Sequence, residues 1–529
     1  MQTGNNAVYA VRRAVAGNSC MVSTGHHLAT LAGVEVLQQG GNAVDAAVAA
    51  GAVASVVLPH ACGLGGDAFA IGFDAKRNSV WVLNASGRSP QLVSLGDFPE
   101  GIPAEEVAST TVPGIVHGWS ILLKRHGTRS MKRILSAAIR HAEKGFVINE
   151  ILGKLIHENT TKLNKHPHTA KLLFPDGRGL ANGQVLRQRD LASTLKKISA
   201  HGPKEFYEGS IAKEICNYVQ SADGFLRPAD MRKHKSKWEN APIRIAYRDC
   251  EVLVPPPNSL AILLLAQLKL ASEFDLESSP HNCVEYIDRL VRAKRIAFKG
   301  VLPLLADIDH MDIDPSELLS PASINRLKQG QLPLSVSKMR ETSDTTCIVT
   351  VDRDGNCVSL IQSLFFHFGC GAVAGRSGVF LNNRMTGFSL KPEEPNVLEG
   401  GKRPAHTLSP ALVLRNRKPY LVIATPGAFA QTQTLCQVLN NILLCNMEVQ
   451  ESLEVPRWFD ELDEVLLCED RIAPETIQSL SNRGYKVRVG APWEAKTGSV
   501  QCIMLDSRGK ERVLYGAADP RRHGCALGW

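Results

Sequence analysis

Two short alternating runs, Thr346–Val351 and Asn356–Gln362, flank Asp352-Arg353-Asp354-Gly355, and this arrangement predicts a β-hairpin whose first strand starts at Thr345. Residues 26–58 follow another rhythm. They predict two Ala/Val-rich helices broken at Gly40-Gly41, the second capped by Asn42 with Asp45 three positions on. That second helix, Ala43–Val57, is apolar nearly all round, so it belongs in a core; no apolar span is long enough to cross a membrane.

Further strands are predicted at Ala68–Phe73 and Ser79–Asn84, and from Trp119 to about residue 300 the pattern reads as helices joined by polar loops, a scaffold. Gly63, Gly65 and Gly66 precede the first of these strands. With no strand before them and no Lys-Ser/Thr after them, they suit a close backbone turn better than a phosphate loop. Asp307-Ile308-Asp309-His310 lacks calcium-loop spacing and reads as a solvated loop. Gln329–Thr342 is polar with one proline and reads as a mobile stretch. Near the end, Ile423-Ala424-Thr425-Pro426-Gly427-Ala428 closes a strand and leads into a helix over Gln431–Leu444.

The 529 residues, 44% hydrophobic, can bury a large core, and no repeat or low-complexity tract divides them. The net charge of +8 comes from scattered Lys and Arg with no aromatic-interleaved basic run, which argues against nucleic acid. It fits a mild bias towards anionic small molecules, and a solvated basic surface equally well. Thirteen cysteines, an odd number without CxxC or Cys/His metal spacing, suit reduced thiols, and no secretory pattern opens the chain; the expected location is cytoplasmic. Neither a membrane nor a metal partner is expected.

The chemistry centres on Thr345. A cut before it would give one residue a hydroxyl nucleophile and an α-amine with an unperturbed pKa of about 7.7–8.0, suited to a general base near neutral pH. Pattern alone explains a Thr-Thr pair at a strand start by β-propensity. However, Asp344-Thr345-Thr346-Cys347, Val351-Asp352-Arg353-Asp354-Gly355-Asn356 and Gly375–Asn383 resemble the junction of γ-glutamyltranspeptidase-type N-terminal-nucleophile hydrolases. Residues 40–47 and 65–69, Val112–Trp119 and Gly516–Gly524 are similar to the same family, so the resemblance runs from about residue 20 to the end.

The resemblance implies self-cleavage at Asp344–Thr345 into 1–344 and 345–529, Thr345 as nucleophile, and an α+β fold, a four-layer αββα sandwich shared by both pieces. It implies that Ser363 orients the nucleophile, although a solvent-facing polar residue is the plainer reading, and that Gly427 and Ala428 offer N–H groups as an oxyanion hole. Several positions depart from the γ-glutamyl pattern. Ser86 stands where those enzymes carry an arginine, with Arg88 two residues on, either gripping an anion or serving as an ordinary surface arginine. Phe365 replaces asparagine, Arg384 replaces glutamine, Gly387 replaces aspartate, and His406-Thr407 replace paired serines; His406 is read either as a site residue or as structural. These changes exchange amine recognition for anion recognition and look like the oxamate amidohydrolase branch.

The implied substrate is a small anionic amide, no cofactor is required, and the two cleaved chains stay together, with a dimer of such heterodimers as a further expectation. Hydrolysis or transfer of γ-glutamyl groups is the alternative enzyme. An uncleaved, non-enzymatic relative is the third reading.

Overall fold

The computed structural model describes residues 12–239, 241–329, 344–507, 509 and 511–529. The polar stretch Gln329–Thr342 lies outside these residues except for Gln329. Two seven-stranded antiparallel sheets stack face to face. The first runs in the order Val15–Gly17, Val513–Ala518, Gln501–Asp506, Lys418–Ala424, Ala411–Arg415, Cys250–Val254, Ile243–Tyr247. The second runs Cys525–Gly528, Met21–Thr24, Asp344–Val351, Cys357–Phe365, Asp67–Asp74, Ser79–Ala85, Lys237–Glu239. Each sheet interleaves strands from before and after Thr345.

Alternation along the strands builds the layers. Cys347, Val349 and Val351 enter a core with Ile361, Phe69, Leu412, Val422 and Ile503 from both sheets, whereas Ile348, Val358 and Leu360 join the helical core on the outer face. Helices Ile262–Ser272 and Ala430–Leu443 cover the other sheet. The αββα sandwich is therefore the observed fold.

The hairpin forms where its pattern places it, with strands Asp344–Val351 and Cys357–Phe365. The helices His27–Gln38 and Ala43–Val57 form too. Asn42 and Asp45 make a reciprocal capping box, and every residue of the second helix is buried. This helix lies against the hairpin. Gln362 Nε2 donates to the Gly51 carbonyl at 3.0 Å and its Oε1 accepts from Trp119 Nε1 at 2.7 Å, while a Cβ at Gly51 would stand 2.5 Å from Gln362.

Two readings are corrected. The stretch from Trp119 to residue 300 is not helical throughout, because Lys237–Glu239, Ile243–Tyr247 and Cys250–Val254 add outer strands to both sheets. Nor is Asp307 solvated. It is buried, accepting from Arg88 Nη1 at 3.2 Å and from the Arg403 N–H at 3.0 Å; Asp309 and His310 of the same run are exposed.

Candidate active site

Thr345 is buried near the start of the strand Asp344–Val351. By the strand alternation it lies on the inner side, and so does Ser363, between the outward-facing Leu360 and Leu364. The ladder is irregular here: Asp344 pairs with Phe365 but Thr346 with Gln362, so the partner strand carries one extra residue. Such a bulge re-aims side chains, and Phe365 takes a φ of +85 within it.

The result is a directed chain of hydrogen bonds. Thr345 Oγ1 donates to Ser363 Oγ at 3.1 Å, Ser363 Oγ donates to the Asp344 carbonyl at 2.9 Å, and Ser363 Oγ also accepts the Phe365 N–H at 2.8 Å. Ser363 therefore faces the nucleophile rather than solvent. It also polarises the carbonyl of the bond before Thr345, a contact the sequence reading did not foresee. Gly66 supports the arrangement from behind, where a Cβ would stand 2.3 Å from the Ser363 carbonyl oxygen.

Asp344 is held on every side. Its Oδ1 accepts the Thr345 N–H at 2.8 Å and a bond from Arg522 Nη1, and its Oδ2 faces His60 Nε2 at 3.4 Å and His367 Nδ1 at 3.3 Å. Burial opposes its ionisation, yet Arg522 with the two histidines holds the carboxyl far below the usual carboxylate range. His60 is also lowered, to about 4, chiefly by burial, which favours its neutral form. None of these three partners stands out in the sequence. They come from three separate stretches and meet only in the fold.

Two cavities open beside this group. One is lined by Thr345, Thr346, His60, Pro426 and Arg522, the other by Asp344, His367, Gly427 and Arg522. Gly427 and Ala428 have φ values of +123 and +48, and their carbonyls accept the first N–H groups of the helix Ala430–Leu443 at 2.8 and 3.2 Å. Holding a non-glycine residue in that left-handed region costs about 1–2 kcal/mol, so the turn is strained where the oxyanion hole is expected.

Arg384 and His406 are brought together around Asp67, and Thr407 follows His406 in the chain. Arg384 is fully buried, its Cζ 4.0 Å from the centre of the Phe365 ring and its Nε 3.6 Å from Asp67 Oδ2. None of its three guanidinium nitrogens has a hydrogen-bond partner among the described residues, and the buried Thr407 hydroxyl is likewise unsatisfied. Burial pulls the guanidinium pKa down to about 9, against the pull of Asp67. His406 Nε2 lies 3.2 Å from the same Asp67 oxygen, and its Nδ1 accepts the Leu408 N–H at 3.4 Å, so the proton sits on Nε2. Burial and Arg384 lower it to about 4, which keeps it neutral near pH 7. Asp67 pairs directly across from Ser363 in the sheet. Its only sequence signal is its place after Gly65-Gly66, at the head of a strand.

The loop that carries Arg384 is fixed by Asn382, whose Oδ1 accepts from the Thr111 and Arg384 N–H groups and whose Nδ2 donates to the Gly65 and Thr111 carbonyls. The scaffold stretch also contributes, since the Asn258 carbonyl accepts the His406 N–H at 2.8 Å. Arg88 is placed elsewhere. It is spent on Asp307, Asp309 and the Gly401 carbonyl, and neither cavity beside Thr345 is lined by it; nor do Arg384, His406 or Thr407 line either cavity. Among the described residues no group of three His, Cys, Asp or Glu side chains is arranged to hold a metal ion.

Comparison with known proteins bears on this geometry. The family model "Gamma-glutamyltranspeptidase" matches residues 29–529. The "Glutathione hydrolase-like YwrD proenzyme" of Bacillus subtilis (strain 168) is 34% identical over 98% of this chain and 100% of its own length. The "Oxamate amidohydrolase proenzyme" of Klebsiella pneumoniae subsp. pneumoniae is 30% identical over 95% of this chain and 97% of its own. Among solved structures, a cephalosporin acylase from Bacillus halodurans superposes with a TM-score of 0.90 at 29% identity, covering 100% of this chain and 99% of that one.

Proposed function

The chain belongs to the gamma-glutamyltranspeptidase family of hydrolases, and on that premise we propose that it is a proenzyme that opens its own Asp344–Thr345 bond and then hydrolyses a small anionic amide of the oxamate type. The names of both curated relatives, each a proenzyme, support the first half. In self-cleavage the Thr345 hydroxyl attacks the Asp344 carbonyl while Ser363 donates to the developing oxyanion. The C–N bond breaks, the hydroxyl proton passes to the new amine, and water then hydrolyses the Asp344 ester.

In turnover the freed α-amine of Thr345 takes the proton from its own hydroxyl as Oγ1 attacks the substrate amide. The Gly427 and Ala428 N–H groups hold the oxyanion, and the leaving amine departs with the proton. Water resolves the acyl-enzyme. A preorganised donor of this kind is typically worth about 2.7–4 kcal/mol.

One observation carries the anionic substrate: the buried Arg384 guanidinium without an acceptor for any of its nitrogens. An unsatisfied buried donor costs about 1–3 kcal/mol and a charged one more. A substrate carboxylate that reaches the guanidinium removes that cost. The name of the Bacillus subtilis relative favours a second reading, γ-glutamyl hydrolysis. The test is to sequence the N-terminus of the smaller fragment, with Thr345→Ala as an uncleaved control, and then to compare ammonia release from oxamate with p-nitroaniline release from a γ-glutamyl anilide. A protein that is active as one intact polypeptide overturns the proposal.

A further inference from the structure

The same hydroxyl attacks two carbonyls in the life of this molecule, first its own chain's and then a substrate's. Whatever surrounds the first acyl group is built before the second arrives. Here that first acyl group is Asp344, and its side chain is not idle. Its carboxylate, two carbons from the carbonyl under attack, is held in a buried setting by Arg522, His60 and His367. Once the bond is cut, Asp344 is the free end of the larger piece, while the three cationic or donor side chains stay on the sandwich. His60 stands next to the helix Ala43–Val57, His367 follows the hairpin strand, and Arg522 precedes the last strand. Both cavities beside Thr345 have Arg522 in their walls, and the one that contains Asp344 also contains Gly427 of the expected oxyanion turn.

We infer that departure of Asp344 leaves a carboxylate subsite of Arg522, His60 and His367 on the acyl side of Thr345, suited to amides of four-carbon dicarboxylic acids, the succinyl half-amides. This rests on Thr345 being the nucleophile towards external amides, and it moves the favoured acyl-side anion from the directly attached carboxylate of oxamate to one two carbons away. Arg384 then remains for a second anionic group of the substrate. Acylation forms the Thr345 Oγ1–succinyl ester and breaks the amide C–N bond, with the proton leaving on the amine. Water then releases succinate and restores the hydroxyl.

The experiment uses the fully processed protein and four amides: oxamate, succinamate, glutaramate, and uncharged butanamide as the isostere of succinamate. The expected result is a kcat/KM for succinamate at least about tenfold above those of butanamide and glutaramate, with free succinate a competitive inhibitor. Arg522→Gln is expected to erase the preference for succinamate over butanamide, and Arg522→Lys to restore part of it. If those variants fail to mature, the wild-type ranking and succinate inhibition still decide. Equal turnover of succinamate and butanamide, or a preference for oxamate, overturns the subsite and leaves the proposed function standing. If the processed protein hydrolyses none of the four, the proposed function fails, and succinate binding measured by calorimetry then reads the subsite alone: binding supports it, and no binding overturns it.

Discussion

Ser363 stands between the Thr345 hydroxyl and the peptide bond before it, accepting from Thr345 Oγ1 at 3.1 Å and donating to the Asp344 carbonyl at 2.9 Å. Its oxygen also takes the Phe365 N–H, so the hydroxyl proton can point only towards Asp344. In the proposed self-cleavage, this one side chain orients the attacking oxygen and stabilises the oxyanion.

Ser363→Ala removes both contacts and is expected to slow the appearance of the two fragments by about a hundredfold or more, the usual cost of one oxyanion donor. Ser363→Thr, which keeps the hydroxyl, is expected to stay within about tenfold of the parent. A time course on denaturing gels measures both. Unchanged cleavage in the alanine variant would show that Ser363 only packs.

Arg384→Met is expected to lower the melting temperature, because it leaves the buried Asp67 carboxylate with His406 alone. Activity on anionic amides should fall by roughly ten- to a hundredfold, since a hydrogen bond to a charged group is worth about 1.5–3 kcal/mol. Calorimetry and steady-state kinetics together check this. A steep loss of stability with unchanged kinetics would make Arg384 a structural residue.

His406 is lowered from 6.5 to about 4 by burial and by Arg384, so the unfolded chain binds the proton more readily than the folded one. Stability from this group is complete above about pH 6.5 and is lost as pH falls towards 4, by at most roughly 3 kcal/mol. Denaturant midpoints measured across that window should fall with pH. The fall should be shallower in His406→Gln, and an identical slope in both proteins would rule His406 out as a contributor.

In the proposed turnover the base is the Thr345 α-amine, which must be unprotonated. The acid limb of kcat/KM is therefore expected at or below the ordinary amine range of about 7.7–8.0, since Arg522 lines the same cavity and disfavours a second positive charge. A pH–rate profile of the processed enzyme reads it. A limb well above 8 would mean that the amine sits in an acidic environment instead.

The hairpin and the two early helices were legible because each carries its own punctuation: an Asp-Gly turn between alternating runs, and an Asn42–Asp45 cap after two glycines. The catalytic reading of Thr345 was not legible in pattern, since threonine at a strand start is ordinary, and it needed the family resemblance. Anion recognition by Arg384 and His406 was inferred from substitutions in that motif, but Asp67, which pairs with both, was missed. Arg88 failed for a related reason. Its partner Asp307 lies 219 positions away, and an Asp-Ile-Asp run looks solvated until the fold folds it inward. The clamp on Asp344 is the extreme case, because His60, His367 and Arg522 have no common period or motif.

Each sheet combines strands from both sides of the Asp344–Thr345 bond. Before the cut, refolding is a one-body event whose rate ignores dilution. After the proposed cut, strand pairing between the pieces must be found by separate molecules colliding, so recovery after heat or urea is expected to become second order and to fail in dilute solution. The matured protein is thus persistent rather than renewable: once melted, it is spent.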